Sequence, residues 1–258
     1  VARRLSLRGF RVSLIESGKR LGGTLPFASI AYKPNEKLLK WLRRQVEQST
    51  VEIHRNTEAT LDTLRRMNPD EVIIATGAQR SMPEGIPGSD RDFVFSGEEM
   101  RALVLSGSHP GLKRKTSTFT RLMVKAGALT GVTSIPELVR QASKLWLPLH
   151  KNITIIGSEL VGLELAEFLA ERGRTVTVMD QPSDVGQGLY LVRRMRLLEE
   201  LNLLGVILIR KANDIVIGNH KVSYTNSRGQ VRSLKTDHVI VAKGASGDTS
   251  LAETFKEA

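Results

Sequence analysis

The sequence predicts an α/β fold built as two doubly wound halves, and three observations lead there. Residues 153–180, ITIIGSELVGLELAEFLAERGRTVTVMD, read as strand, glycine turn, helix and strand. The chain is loosely duplicated: RGFRVSLIES echoes RGRTVTVMDQ, and DEVIIATGA echoes DHVIVAKGA. Its 258 residues, 40% apolar and 25% charged, are enough for two ordinary α/β domains with sizeable cores.

In the first half, ARRLSLRG at residues 2–9 reads as the end of a helix stopped by Gly9, so the sequence opens inside a βα unit. FRVSLIE follows as a strand ending at Glu16, then the loop SGKRLGGTL with Arg20, Gly22, Gly23 and Thr24. Over residues 36–48 the spacing of Leu38, Leu39, Leu42 and Val46 predicts one apolar helix stripe, with VEIHRN a strand behind it. LDTLRRM predicts a helix. The branched apolar run at residues 72–75 predicts a buried strand that ends in Ala75, Thr76 and Gly77.

Residues 81–97 are rich in proline and glycine and read as a link between domains. Residues 98–149 are less regular: the Gly/Ser/Lys-rich SGSHPGLKRKTSTFT precedes two helices, RLMVKAGAL and IPELVRQASKLWL, the second broken by Pro148. No chemistry attaches to this stretch. Trp41 and Trp146, on amphipathic helices, are expected in the core.

The second half holds a strand at 153–156, a helix at 161–172 stopped by Gly173, and a strand at 175–179 ending in Asp180. A helix over residues 190–202 leads to GVILIR, DIVIG, KVSYTN and VRSLKTDHVIVAKGA, short strands expected to form a small antiparallel addition. The resulting division is residues 1–99, with 247–258 returning to them, a linker or helical insertion at 100–150, and a second nucleotide-type domain at 151–246.

Composition narrows the chemistry. With no cysteine, the chain has no disulfide, thiolate metal site or redox dithiol, so redox work needs a borrowed cofactor. The five histidines are scattered without chelating spacing, and no metal site is expected. No apolar run is long enough for a membrane span and no leader pattern opens the sequence, which makes the cytoplasm the expected location. The net charge of +11 is spread over short clusters without interleaved aromatics, a pattern of solvated helix faces and not of a nucleic-acid platform.

The glycine turn carries the functional signal. Gly157, after ITII and before a helix, suits phosphate approach at a helix N-terminus; Ser158 offers a hydroxyl, and Gly162 suits close helix–strand packing. Asp180 stands at the spacing of the acid that accepts ribose hydroxyls, and a carboxylate there favours NADH over NADPH. Glu16 is its counterpart in the first half. Glu159, where the middle glycine of G-x-G-x-x-G belongs, puts a bulky anion near the pyrophosphate; outward rotation or screening by Arg193 or Arg194 would relieve it, so retained and lost dinucleotide binding both stay open. Glu164 is expected exposed or paired with a basic neighbour.

Taken in order, ESGKRLGGTL, VIIATGA, GLELAEFLAERGR and VIVAKGA resemble the C-terminal half of the NADH:flavin oxidoreductases, the old-yellow-enzyme relatives that include 2,4-dienoyl-CoA reductase and trimethylamine dehydrogenase. The resemblance covers residues 1–99 and 146–258. It implies two Rossmann-like, three-layer FAD/NAD(P)-binding domains, the first lacking its initial strand and glycine-rich turn, and a chain that is an internal piece truncated at both ends. It implies that Glu16 holds the adenosine ribose of FAD, that Arg20, Gly22, Gly23 and Thr24 pass near its pyrophosphate and flavin, and that Ala75, Thr76 and Gly77 pack on it. Gly157, Ser158, Gly162 and Asp180 would hold NAD(P)H. Hydride would pass from NAD(P)H to FAD and on to a partner, an N-terminal flavin barrel or a separate reductase, that reduces an enoyl-type or related substrate. Lys243 stands where a small residue is expected beside the nicotinamide, and blocking the site and binding phosphate both stay open for it. The alternative to an oxidoreductase module is a non-catalytic nucleotide-fold scaffold.

Overall fold

The computed structural model describes residues 1–79, 82–105, 109–129, 135–247 and 249–256. The chain divides into two compact units, residues 1–79 with 246–258, and residues 80–245.

In the first unit α1 (Ala2–Ser6) is followed by Gly9 at φ 89°, the left-handed conformation a chain reversal needs. Then come β1 (Ser13–Glu16), α2 (Leu25–Ala31), α3 (Pro34–Glu47), β2 (Glu52–Arg55), α4 (Leu61–Met67) and β3 (Ala78–Gln79). Proline in the first turn starts both α2 and α3, where its missing N–H costs nothing. Thr60 caps α4 by accepting the Thr63 N–H at 3.2 Å, and Asn68 ends that helix in the left-handed region. Strands β1 and β2 pair in parallel, Ser13 opposite Glu52 and Glu16 opposite Arg55. Ile30, Leu39 and Val51 are buried.

Three expectations fail in this unit. Helix α3 buries Glu36 and Leu39 and half-buries Arg43 and Val46, whereas Leu38, Leu42 and Trp41 are exposed. The inward face therefore passes through Leu39, Arg43 and Val46 at three- and four-residue steps, and Trp41 lies off it. Residues 72–75 form no strand, and Val72 and Ile73 are 43% and 59% exposed. A strand needs a neighbour's N–H and C=O groups, and among the described residues nothing pairs with this run.

The second unit opens with β4 (Val94–Ser96), α5 (Gly97–Leu105), α6 (Leu112–Lys115), α7 (Thr118–Leu129) and α8 (Pro136–Leu145). It continues with β5 (Asn152–Ile156), α9 (Leu160–Ala170), β6 (Thr175–Met179), α10 (Leu191–Leu203), β7 (Ile207–Ile209), β8 (Asn213–Ile217), β9 (Lys221–Thr225), β10 (Val231–Lys235) and β11 (His238–Val241). A five-stranded parallel sheet runs in the order β4-β11-β5-β6-β7. Every residue of β5 and β6 after the first is buried, so both sheet faces are covered, as parallel sheets require. This is a Rossmann-type layered sheet.

Strands β8, β9 and β10 form the expected antiparallel piece, and Ile217 and Val222 from it join Val94, Ile156, Met179, Val239 and Val241 in one core. The strands β7 and β11, read as part of that addition, belong instead to the parallel sheet. Residues 94–96, read as link, supply its edge strand, because Val94 and Phe95 are apolar enough to be wholly buried beside Val239 and Ile240. Residues 82–99 thus lie in the second unit. Part of the stretch read as irregular is helical, in α5 and α6. Trp146 is partly exposed, edge-on to Phe119 at 6.3 Å between ring centroids, because α8 has ended at Leu145 before it.

The chain closes with β12 (Ser246–Gly247), antiparallel to β3, and α11 (Ser250–Lys256), both in the first unit. Among the described residues, no helix is long and apolar enough to cross a membrane.

Candidate functional site

The carboxyl ends of β5, β6 and β11 meet at the glycine turn. Gly157 donates its N–H to the Met179 carbonyl at 3.0 Å, and Ala242 donates to the Ile156 carbonyl at 2.8 Å, so the turn is pinned between the two flanking strands. Gly157 has φ 123°, and a Cβ built there would lie 2.5 Å from the Ala242 carbonyl oxygen. At Gly162 a Cβ would lie 2.1 Å from the Gly157 carbonyl oxygen. Glycine is required at both positions, which brings the start of α9 directly onto the strand end. The first N–H groups of α9 have no intrahelical partners, as at any helix start, and such an N-terminus beside a glycine turn is the arrangement that receives a phosphate.

Glu159 occupies the N-cap of α9 at φ −79°, ψ −179°, extended backbone that any residue adopts. Loss of the middle glycine therefore costs the turn no backbone strain. Its side chain is exposed and makes no capping hydrogen bond. The two cations expected to screen it are matched elsewhere: Arg193 Nη2 is 3.1 Å from Glu164 Oε1, and Arg194 Nη2 is 3.6 Å from Asp184 Oδ1. Glu164 is paired as expected, but it is buried; burial raises its pKa while the Arg193 contact opposes.

Asp180, 5% exposed, is the centre of this cluster. Its Oδ2 accepts the Ser158 N–H at 2.8 Å and the Ser158 hydroxyl at 3.0 Å; its Oδ1 accepts the Gln181 N–H at 2.8 Å and lies 2.8 Å from Lys243 Nζ. Burial works against ionisation here, but the bonds from Lys243, Ser158 and Gln181 outweigh it and hold the carboxyl below its ordinary pKa. The loop beyond Asp180 folds back, and the Gly186 N–H donates to the Ser158 carbonyl at 2.7 Å. The structure thus brings Gly157, Ser158, Gly162 and Asp180 into one place and adds Lys243, whose Cγ would lie 3.2 Å from a Cβ on Gly157.

In the first unit, Glu16 ends β1, and its Oε1 accepts the Gly18 N–H at 2.7 Å. Gly22, at φ 132°, packs so closely on Leu39 that a Cβ would be 2.7 Å from Leu39 Cδ1. Gly23 is also left-handed, and Thr24 precedes α2. Arg43 Nε donates to the Leu21 carbonyl at 2.7 Å, and burial together with neighbouring Arg20 lowers its pKa. In the sequence Arg43 is one of many helix cations, marked only by its place on the inward face of α3. Ala75, Thr76 and Gly77 are exposed and follow no strand.

A parallel sheet whose strand end meets a glycine turn and a helix N-terminus is a dinucleotide-type α/β domain. The chain belongs to the pyridine nucleotide-disulphide oxidoreductase family, which matches residues 1–258 and whose members bind FAD and NAD(P)H. It is 26% identical over 205 residues to the NADH oxidase of Thermoanaerobacter brockii, covering 77% of this chain and 25% of that protein. It is 26% identical over 246 residues to the bilirubin reductase of Mediterraneibacter gnavus, covering 95% of this chain and 32% of that one. The fold is shared with the structure of a 2-naphthoyl-CoA reductase in complex with 2-naphthoyl-CoA, at TM-score 0.74 and 20% identity over 98% of this chain and 32% of the other. The chain therefore spans a quarter to a third of the length of these relatives. By their names all three are oxidoreductases.

Proposed function

We propose that this chain is the NAD(P)H- and FAD-binding module of a larger oxidoreductase, passing reducing equivalents from NAD(P)H to a partner domain, such as a flavin barrel, that reduces an enoyl-type or related substrate. The observation that carries this reading is the cradle at Gly157 and Gly162. Two carbonyl oxygens occupy the space a Cβ would need, so the backbone is kept bare where a pyrophosphate would come close to the start of α9. Gly157, Ser158 and Gly162 would hold the pyridine nucleotide beside Asp180. Glu16, Arg20, Gly22, Gly23 and Thr24 would hold FAD, with Arg43 reinforcing Arg20, since two neighbouring guanidinium groups are relieved by a phosphate between them. Ala75, Thr76 and Gly77 would close over it. When bound, FAD supplies the acceptor for the hydride of NAD(P)H; the side chains position, and none need act as acid or base. With no cysteine in these residues, no dithiol relay runs through the chain.

The test is titration of the chain with FAD, NADH and NADPH by calorimetry, with flavin absorbance read on the protein as purified. Saturable binding of a pyridine nucleotide and of FAD supports the reading, and binding of neither sinks it. A second reading, a nucleotide fold kept as a scaffold, is favoured by the exposure of Ala75, Thr76 and Gly77; it predicts a folded protein that binds none of the three.

A further inference from the structure

We propose that Lys243 makes the second-unit site select the 2′-phosphorylated dinucleotide, NADPH, over NADH; this rests on the dinucleotide reading above. An acid at the end of the second strand selects NADH by accepting the ribose hydroxyls and by repelling a 2′-phosphate. Asp180 is placed to do neither. A carboxylate offers about four acceptor positions, two on each oxygen. All are filled from within the chain: Ser158 N–H and Oγ on Oδ2, Gln181 N–H and Lys243 Nζ on Oδ1. No position remains for a ribose hydroxyl, and the charge that would repel a phosphate is paired with an ammonium.

Lys243 itself is suited to an anion. Its contact with Asp180 uses one of three N–H donors, and its side chain is 32% exposed against 7% for that of Asp180, so Lys243 is the more accessible residue of the pair. It follows β11 next to Gly157, but its ammonium reaches the strand-end acid Asp180, the ribose end of a dinucleotide fingerprint and not the nicotinamide side expected of position 243. More positive charge is carried by the segment tied to the Asp180 loop. Arg210 and Lys211, both exposed, follow β7, and the backbone there is tied to the strand-end loop: Lys211 N–H donates to the Pro182 carbonyl at 3.3 Å and Ala212 N–H to the Asp180 carbonyl at 2.9 Å. A 2′-phosphate, carrying a charge of about −1.5 to −2, would meet Lys243, with Arg210 and Lys211 on the segment bonded to the Asp180 loop. NADH brings nothing for these cations to hold at that end.

The experiment is calorimetric titration of the 258-residue chain with NADPH and with NADH at one ionic strength, repeated on Lys243→Met and Lys243→Arg. The native chain is expected to bind NADPH at least about tenfold more tightly than NADH, as a charge-assisted contact gives. Lys243→Met removes that preference by weakening NADPH while retaining NADH, and Lys243→Arg keeps it. Equal affinity of the native chain for both nucleotides, or an unchanged preference in Lys243→Met, overturns the proposal and leaves the dinucleotide reading standing. Loss of both nucleotides in Lys243→Met also overturns it, by making the lysine a support of the whole cradle. Binding of neither nucleotide by the native chain overturns proposal and reading together.

Discussion

Gly162 lies so close under Gly157 that a Cβ on the helix residue would stand 2.1 Å from the carbonyl oxygen of the turn residue. No rotamer relieves such a contact, because both groups are fixed by backbone. The start of α9 can approach the end of β5 only while position 162 lacks a side chain, and that approach aims the helix N-terminus at the mouth of the turn.

Gly162→Ala is therefore expected to destabilise the second unit, against the ordinary trend. In a free helix interior alanine is favoured over glycine by about 1 kcal/mol. Here an overpacking cost of about 1–3 kcal/mol, at its upper end for a contact with fixed backbone, outweighs that gain and reverses the sign. Thermal unfolding of the variant reads this as a lowered Tm; an unchanged or raised Tm would mean that helix and turn separate freely.

Glu159→Gly separates charge from strain. The backbone at this position is one that any residue adopts, so the glutamate acts on a nucleotide through its charge and bulk alone. Two like charges about 4 Å apart cost about 1 kcal/mol in water and about 4 at a protein-surface dielectric. As the side chain is exposed, the lower part of that range applies, and the variant should bind NADPH and NADH about five- to thirtyfold more tightly by calorimetry. Glu159→Gln, which keeps the bulk, should recover most of the gain. The same change removes an anion from a helix N-terminus and should cost α9 about 0.3–1 kcal/mol.

The two echoing segments show where local sequence stops being informative. DHVIVAKGA becomes β11, flanked by β4 on one side and β5 on the other, with Val239, Ile240 and Val241 buried. DEVIIATGA has the same branched run, yet Val72 and Ile73 are exposed and unpaired among the described residues. Branched apolar character records suitability for a strand; only distant residues supply the neighbours. The unit of β5, α9 and β6 was legible because glycine turn, helix period and strand are contiguous. The role of Asp180 was only half legible: its strand-end place follows from spacing, but its ammonium partner arrives from beyond β11.

Glu167 gives the second unit a stability that falls with pH. Burial, then the neighbouring carboxyl of Glu200 on α10 and that of Glu171, push its pKa up to about 7 from the ordinary 4.5. The folded state holds a proton that the unfolded chain releases, so stability is full below about 4.5 and declines until the pH passes about 7. A shift of this size corresponds to about 3 kcal/mol, which solvent screening at a half-buried carboxyl reduces to about 1–2. Glu167→Gln should be more stable than the native chain at pH 8 and equal to it at pH 4, by denaturant titration. An equal gain at both pH values would locate the effect in packing.

His238, at the start of β11, works in the opposite direction. Its ring lies 5.6 Å from that of Phe95 and 5.1 Å from that of His150, and burial, aided by His150, lowers its pKa to about 4 from 6.5. The unfolded chain takes up a proton below about 6.5 that the folded state refuses, so stability drains away as the pH falls from there towards 4. Between about 4.5 and 6.5 the Glu167 and His238 slopes oppose each other, and their two contributions to the native stability curve should largely cancel across that window. Each single variant should expose the other slope: in Glu167→Gln stability rises with pH, and in His238→Leu it falls. The double variant should show neither slope, leaving only that of Glu164. If His238→Leu leaves the native curve unchanged, the imidazole titrates alike in the folded and unfolded chains, and the acid limb belongs to other groups.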